Sequence, residues 1–520
     1  MATDKSKDPD SPLSTTYAYD TMVPRWALAC ALMGGTETMR AAGAQYLPRH
    51  PEETDEAYNC RLEVAVLKNV YEETLNELST KPFAEDVEIG DDVPEKIVPY
   101  LNNVDLMGNE LAVFLRDWFQ LGLAKGFVHV LVDMPRLDPN PDGTARTLAD
   151  DRAAVVRPYF VLIQPENVLH MEETIIDGRP VLTYLRMVEY NTVRVGFTET
   201  IEKSVKEIMP GLVNIYKPIK SNVATGEVKW YRADTYPTGL QELTVVTFYA
   251  TRREALMEAK PPLQDLAYMN VAHWQSSSEQ QHALTTTRFP ILTCEGDPDD
   301  SKPIVIGPDQ VLYGRKGANF KYLEHTGAAI AVGREDLNKL EEQMSTYGAD
   351  FLTEQPGDIT ATAKAIDSAE ANSALASIVG KFEDAVAQAL GYMALLAGVA
   401  TTNEDGTNNG GTIELVKSYT PDLADQPGLT ALQAARTNKD LSREAFIEGL
   451  ILRGVLPSDF DLEENDRQLE EESQKAIEQG LAMGVNLDPG ATPPPPPAPI
   501  GTPKPSPAPK PAGKKAKAAE

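Results

Sequence analysis

Asp138-Pro139-Asn140-Pro141-Asp142-Gly143 is the stretch of this sequence that comes nearest to a metal-binding motif. It has the Asp-x-Asn-x-Asp-Gly opening of a calcium loop, with oxygen donors at alternate positions and a glycine for the sharp turn. That loop also needs a bidentate glutamate at its twelfth position, where this chain has Ala149. Two prolines and no helix ahead of it weaken the match, so ordinary turn chemistry is the better reading. His273 and His282 share a helical segment, but nine residues at about 100° each put them on opposite faces, so they cannot share a metal. His129 lies in an apolar strand and reads as a satisfied core histidine. Asp459, Asp461, Glu463, Glu464 and Asp466 lead into a charged helix and read as carboxylates complementing its dipole. There is no Gly-x-x-x-x-Gly-Lys-Ser/Thr loop, no Gly-x-Ser-x-Gly elbow and no His-Glu-x-x-His. The sequence therefore points away from an enzyme, with no cofactor and no metal expected.

The bulk properties agree with that. The chain has 520 residues, enough for two to four domains at about 150 residues each, and 42% hydrophobic residues, enough to build a core. Three cysteines, Cys30, Cys60 and Cys294, are odd in number and far apart, which fits free core thiols and neither a disulfide framework nor a zinc site. The most apolar run, Gly391 to Ala400, falls well short of the roughly 18 residues of a membrane-spanning helix. The opening Met1-Ala2-Thr3-Asp4-Lys5 lacks a secretory pattern. A soluble protein made in the cytoplasm, without a membrane partner, is expected. The net charge of −30 argues against gripping nucleic acid by its phosphates, which needs clustered Lys and Arg. It does not argue against letting DNA slide past.

The elements follow from periodicity. Helical patterns run from Pro24 to about Tyr46, with Pro24 in a first turn, from about Asp55 to Leu78, and from Leu111 to Leu123. Strand patterns cover Phe127 to Met134, Tyr159 to Ile163, Leu182 to Val188, Val213 to Tyr216, Val228 to Tyr231 and Leu243 to Tyr249, with a hairpin turn at Thr225-Gly226. The first half is thus α+β, helices first and then a mostly antiparallel sheet. Leu263 to Thr285 is a helix with an apolar face at Leu263, Leu266, Ala267, Val271 and Trp274. Its second half, Gln275 to Gln281, is polar all round and suits packing against copies of itself or lining a wet space. A short β-like module, Phe289 to Leu323, follows, and a helix from Glu335 to Phe351 returns. The loop at Glu354-Gln355-Pro356-Gly357-Asp358 leads to a long helix from about Thr360 to Leu396. Thirteen alanines lie between Ala361 and Ala400; close helix approach in a crowded ring and plain helix propensity both explain them. Leu429 to Met483 is helical and acidic. From Asn486 the chain is Pro/Ala/Lys-rich, carries net +3, and should be extended and disordered.

Several stretches in order resemble a family of tailed-phage portal proteins. They are Pro24-Arg25-Trp26 with Gln45-Tyr46-Leu47-Pro48, Pro261 to Ala267 continuing through Asn270 to Ser278, Tyr322 to Ile330 leading into Leu340 to Met344, Thr360 to Ala363 with Asn372 to Ala376, and Ser442-Arg443-Glu444 with Arg453 to Pro457. Together they span roughly residues 17 to 470 and leave the Pro/Lys tail outside. The family carries no catalytic signature to transfer.

The resemblance implies a portal fold. After a disordered arm over 1–16 it places an α+β wing at 17–260, stem helices at 261–288 and 332–351, and a clip at 289–331. It places a tunnel loop at 352–359 (Thr353, Glu354, Gln355, Pro356, Gly357 and Asp358), a spine helix and wing return at 360–427, a helical crown at 428–485 and the disordered tail at 486–520. Trp274, Ser276, Ser277 and Ser278 would pack the stem. It also implies a homo-oligomeric ring, usually of twelve subunits, at one vertex of the virion. Such a ring, put together in the host cytoplasm, passes double-stranded DNA during packaging and ejection. It contacts the major capsid protein, the terminase motor and neck or adaptor proteins. Lys339, Arg315 and Lys316 are candidates for the few positive contacts to DNA, although a solvated face or a salt bridge to a neighbour is the plainer reading of each. The alternatives are another ring-forming head–tail adaptor and, distantly, a metal-dependent hydrolase built on the Asp138 loop.

Overall fold

Helix α1 (Tyr17–Met33) is set by Thr16, whose hydroxyl accepts from the amide of Tyr19 at 3.2 Å. Pro24 therefore lies inside the helix and not in its first turn. Complete burial of Met22 and Trp26 on either side of it offsets the lost hydrogen bond. The expected run to Tyr46 breaks at Gly35, held at φ +70°, before α2 (Gly35–Ala42). The run from Asp55 is likewise two helices, α3 (Asp55–Val64) and α4 (Val70–Thr80). Between them Ala65 is extended, and Asn69 caps α4 by accepting from the amide of Glu72. Helix α5 (Leu111–Lys125) ends at Gly126, which sits at φ +88°.

The computed structural model describes residues 11–135, 156–219 apart from 177, 229–288, 291–295, 319–323, 328–351, 373–402 and 407–417 in a first unit, Met1–Thr420. In a second unit, Pro421–Glu520, it describes 432–433, 435–437, 441–451, 465 and 467. The Asp138–Gly143 stretch, the Thr225-Gly226 turn, Arg315, Lys316, the tunnel-loop segment 352–359 and the Pro/Lys tail lie outside the described residues.

The protein has an α+β fold. Strand β1 (Phe127–Asp133) lies between β2 (Tyr159–Ile163) and the later β8 (Val245–Tyr249) in an antiparallel three-stranded sheet. Its continuous apolar run is explained by burial on both faces. A five-stranded antiparallel meander comes between them in the chain: β3 (Val168–Ile176), β4 (Arg179–Val195), β5 (Thr198–Met209), β6 (Leu212–Pro218) and β7 (Trp230–Pro237). Ser11 to Thr16, expected to be part of a loose arm, rests on this sheet: Arg186 donates to the Ser14 carbonyl at 2.6 Å.

Helix α6 (Gln264–Arg288) leads into β9 (Ile291–Glu295), which pairs antiparallel with β10 (Asn319–Leu323) before α7 (Ala328–Asp350) returns. Helix α8 (Ala374–Ala397) begins where the Ser373 hydroxyl accepts from the Ala376 amide at 3.1 Å, with Ser373 extended. A single uninterrupted helix from Thr360 is thereby corrected. The second unit contains α9 (Arg443–Ile451).

The main core joins α5, β1, β8 and α8 around Phe382, whose ring is 5.2, 5.1 and 4.9 Å from Trp118, Phe119 and Phe248. The small residues of α8 serve contacts within the chain: a Cβ on Gly391 would lie 2.2 Å from the Asn408 carbonyl oxygen. Beside this core Lys125 is fully buried, its ammonium 2.6 Å from Glu166 and 2.9 Å from the Gln164 amide oxygen. His129 is also buried; Nδ1 lies 2.8 Å from the Thr247 hydroxyl, while Nε2 has no partner. Cys30 and Cys60 are free thiols but exposed, Cys30 donating to Glu166 at 3.3 Å, which corrects their expected burial.

Two outcomes follow from these buried groups. Glu166→Ala strands a buried ammonium and should cost about 3–5 kcal/mol in denaturant unfolding, with Lys125→Met/Glu166→Leu recovering most of it. Burial pushes the His129 imidazole down to about 3 from 6.5. The unfolded chain takes up this proton below about pH 6.5 and the folded chain refuses it until about pH 3, so stability falls as pH drops through that window. The ring-carbon NMR signals of His129 should hold their neutral positions at pH 4 in the folded protein.

Candidate functional site

The feature that stands apart from the body is the pair α6 and α7. Three contacts give its geometry. The Tyr347 hydroxyl donates to the Pro262 carbonyl at 3.1 Å, His273 Nε2 is 3.1 Å from Glu341 Oε1, and the Gln280 amide donates to the Ile330 carbonyl at 2.8 Å. As one number rises the other falls, so the helices are antiparallel, with the β9–β10 hairpin at their far end.

The root of the pair is embedded. The buried stripe of α6 is Leu266, Ala267, Asn270, His273, Trp274 and Ser278, on one helical face, with Leu263 buried just ahead of the helix. Asn270 occupies the central position, fully buried, with the expected Val271 partly buried against the core beside it. The Asn270 Oδ1 accepts from the Tyr71 amide and its Nδ2 donates to the Lys68 carbonyl, each at 2.9 Å. The stripe of α7 reaches Met344, which is fully buried. Glu341 joins the two helices to the body by pairing with both Lys68 and His273. The Lys68 ammonium, and then His273, hold the Glu341 carboxyl below its usual range against the opposing effect of desolvation.

Beyond Ser278 the character changes. Glu279, Gln281, His282 and Ala283 are exposed, so the distal part of α6 leaves the body. The polar segment divides accordingly. Gln275 donates to the Tyr46 carbonyl at 2.9 Å and is used within the chain. Ser276 and Ser277 are half-buried, and Ser278 is buried with its hydroxyl unpartnered, as are the Trp274 indole N–H and His273 Nδ1. At the distal end Gly333 allows close contact, since a Cβ there would meet the Gln280 side-chain oxygen at 2.3 Å. Lys339 is well exposed on α7 and forms a 2.9 Å ion pair with Glu335, one turn away, as expected for a solvated helix face.

The structure thus brings together Trp274, Ser276, Ser277 and Ser278 on the root of one helix and sets Lys339 on the outer face of its partner. Asn270, Glu341 and Lys68 were not singled out from sequence as anchoring residues. A polar residue at a core position of an apolar stripe was the available signal for Asn270. Among the described residues no three His, Cys, Asp or Glu side chains come together to hold a metal, and no helix is long and apolar enough to cross a membrane.

A family model described as a domain of unknown function, DUF4055, matches residues 262–396, which take in α6, the β9–β10 hairpin, α7 and nearly all of α8. No curated protein matches the chain. Solved structures that it resembles include a chain of the virion of a native gene transfer agent particle, at 13% identity over 80% of this chain and 98% of that one, with a TM-score of 0.35. A chain from the neck of the native particle, computed with C12 symmetry, aligns at 12% identity over 74% and 89%, TM-score 0.34. One from the neck of the empty particle, computed with C6 symmetry, aligns at 12% over 80% and 97%, TM-score 0.35. Superpositions of that quality do not establish a shared fold.

Trp274→Ala should cost about 3–5 kcal/mol in chemical denaturation, because a fully buried indole is lost from the root. Ser276→Ala, at a half-exposed position, should stay within about 0.5 kcal/mol of the parent.

Proposed function

We propose that this chain is a non-enzymatic subunit of a portal-type head–tail connector ring in a tailed-phage particle, a conduit for double-stranded DNA. The observation that carries the proposal is the excursion of α6 and α7: an antiparallel pair, embedded at its root, free beyond Ser278 and capped by a two-stranded hairpin. A stem bearing a clip has this construction, and the segments that resemble the portal family run through it in order. In this reading residues 17–260 are the wing, 352–359 the tunnel loop and 428–485 the crown. The clip takes the terminase motor during packaging and the neck proteins afterwards, while the wing meets the major capsid protein.

The physics of the conduit follows from charge. Phosphates near an acidic wall are repelled, with screening over about 8–10 Å at physiological salt. DNA then finds no deep electrostatic trap along its path, and the motor supplies the work. Lys339, already satisfied by Glu335, makes at most a weak, exchangeable contact.

Negative-stain electron microscopy with native mass measurement tests this. Closed rings with an open centre and close to twelve subunits are the expected result, on the pure protein or with its capsid partners. A compact dimer or tetramer without a hole, unchanged by those partners, would overturn it.

A further inference from the structure

Strands β4 and β5 run on past the rest of their sheet. β3 pairs with β4 only as far as Met187, and β6 with β5 only back to Val205. Among the described residues no third strand pairs with them from Glu189 to Ser204; at the base Val188 is buried and Glu202 reaches Lys217, and the far end closes in a two-residue turn with Gly196 at φ +65°. Every residue from Tyr190 to Ile201 is exposed. The ribbon extends roughly 25 Å at about 3.4 Å per residue. A two-stranded ribbon alone is marginal in water, and its free edges are templates for another chain. Its apolar groups add to that: Phe197 at the tip is wholly exposed, and Val195, Ile201 and Tyr190 are more than half exposed. Its charges (Glu189, Arg194, Glu199, Glu202, Lys203) nearly balance, so it has no basic cluster to suit nucleic acid.

The opposite end of β4, at Arg179–Leu182, borders a recess of about 830 Å³ between β8, α8 and residues 407–412. It is lined by the carboxylates of Asp92, Glu242 and Asp384, the rings of Tyr249 and Tyr392, and Arg179. A further lining pair, Glu173 and Arg253, neutralise each other. The ribbon tip offers complementary groups: Phe197, and Arg194, whose Nε donates to the Gly196 carbonyl at 2.8 Å. Tip and recess lie at the two ends of one 17-residue strand, roughly 50 Å apart at strand rise, so a chain cannot reach its own recess with its own ribbon.

We propose that the 188–204 ribbon docks on a second copy of this chain, with Phe197 and Arg194 entering that copy's recess beside Tyr392 and Asp384. The contact uses two different surfaces, so it is head-to-tail and repeats around a ring. A ribbon free on both faces offers area on the order of the 800 Å² that each partner gives a standard interface. The proposal rests on the ring assembly given above and names its subunit contact.

The test compares the full chain with an R194E/F197D variant by native mass and electron microscopy, with thermal unfolding as the control for folding. The expected result is rings for the parent and about a tenfold loss of them for a variant that melts like the parent. A second variant, F197C/Q388C in a background lacking the native cysteines, with Gln388 lining the recess beside Tyr392 and Asp384, should cross-link different copies into a ladder on mild oxidation. Rings that persist in R194E/F197D would overturn the ribbon contact and leave the ring assembly standing. Loss of rings without any cross-linked ladder would overturn the recess as its receiver. A parent chain that forms no ring, even with its capsid partners, would overturn both the contact and the assembly it rests on.

Discussion

The side-chain amide of Asn270 is the contact on which the placement of the helix pair depends. The break between α3 and α4 leaves first-turn amides of α4 without helical partners. Asn69 takes the Glu72 amide from within the chain's own cap, and Asn270 takes the Tyr71 amide from a different helix while donating to the Lys68 carbonyl. One buried residue thus completes the start of α4 and fixes the depth at which α6 crosses it. A leucine there would suit the apolar stripe but would leave two backbone groups unsatisfied, at about 1–3 kcal/mol each. Glu341 repeats the arrangement from α7 through the side chain of Lys68.

A second constraint is the close seating of α8. Phe382 meets rings from α5 and β8, and at Leu390 and Gly391, about two turns further along, the chain 408–410 passes so near that Gly391 and Gly410 have no room for a Cβ. The would-be Cβ of Gly410 lies 2.2 Å from the Leu390 carbonyl oxygen. The alanines of this helix fit the same requirement: Ala385, Ala389 and Ala394 are buried. Smallness here is spent on the protein's own backbone, whatever the neighbours in an assembly.

What could be read in advance depended on how one-sided each element's surroundings are. Tyr159 to Ile163 and Leu111 onward were legible because burial dictates their residue types. β3 and β5 were not, since much of each faces water and carries Glu, Lys and Thr with little alternation. Pro24 and the Ala65–Asn69 break were misread because local propensity was overruled by burial of Met22 and Trp26 in the first case and by capping in the second. The apolar stripe of α6 was legible except at Asn270, where a hydrogen-bonding need across some two hundred positions of sequence leaves no periodic trace. Of the residues expected in the helix pair, Trp274 is fully buried at its root and Lys339 pairs with Glu335 on its surface.

The uneven embedding of α6 has a mechanical side. At about 1.5 Å per residue the 25 residues of the helix make a strut roughly 37 Å long, gripped by the body over its first half and braced beyond it by α7, at Ile330 and Gly333. Such a member behaves as a cantilever: a sideways load at the hairpin bends the free end little but applies its largest moment at the grip. That grip is made of an amide, two carboxylate contacts and an indole, none of which slides past its neighbours. Any displacement imposed at the hairpin is therefore delivered to the α3–α4 break as torque, at the place where the main chain is already kinked.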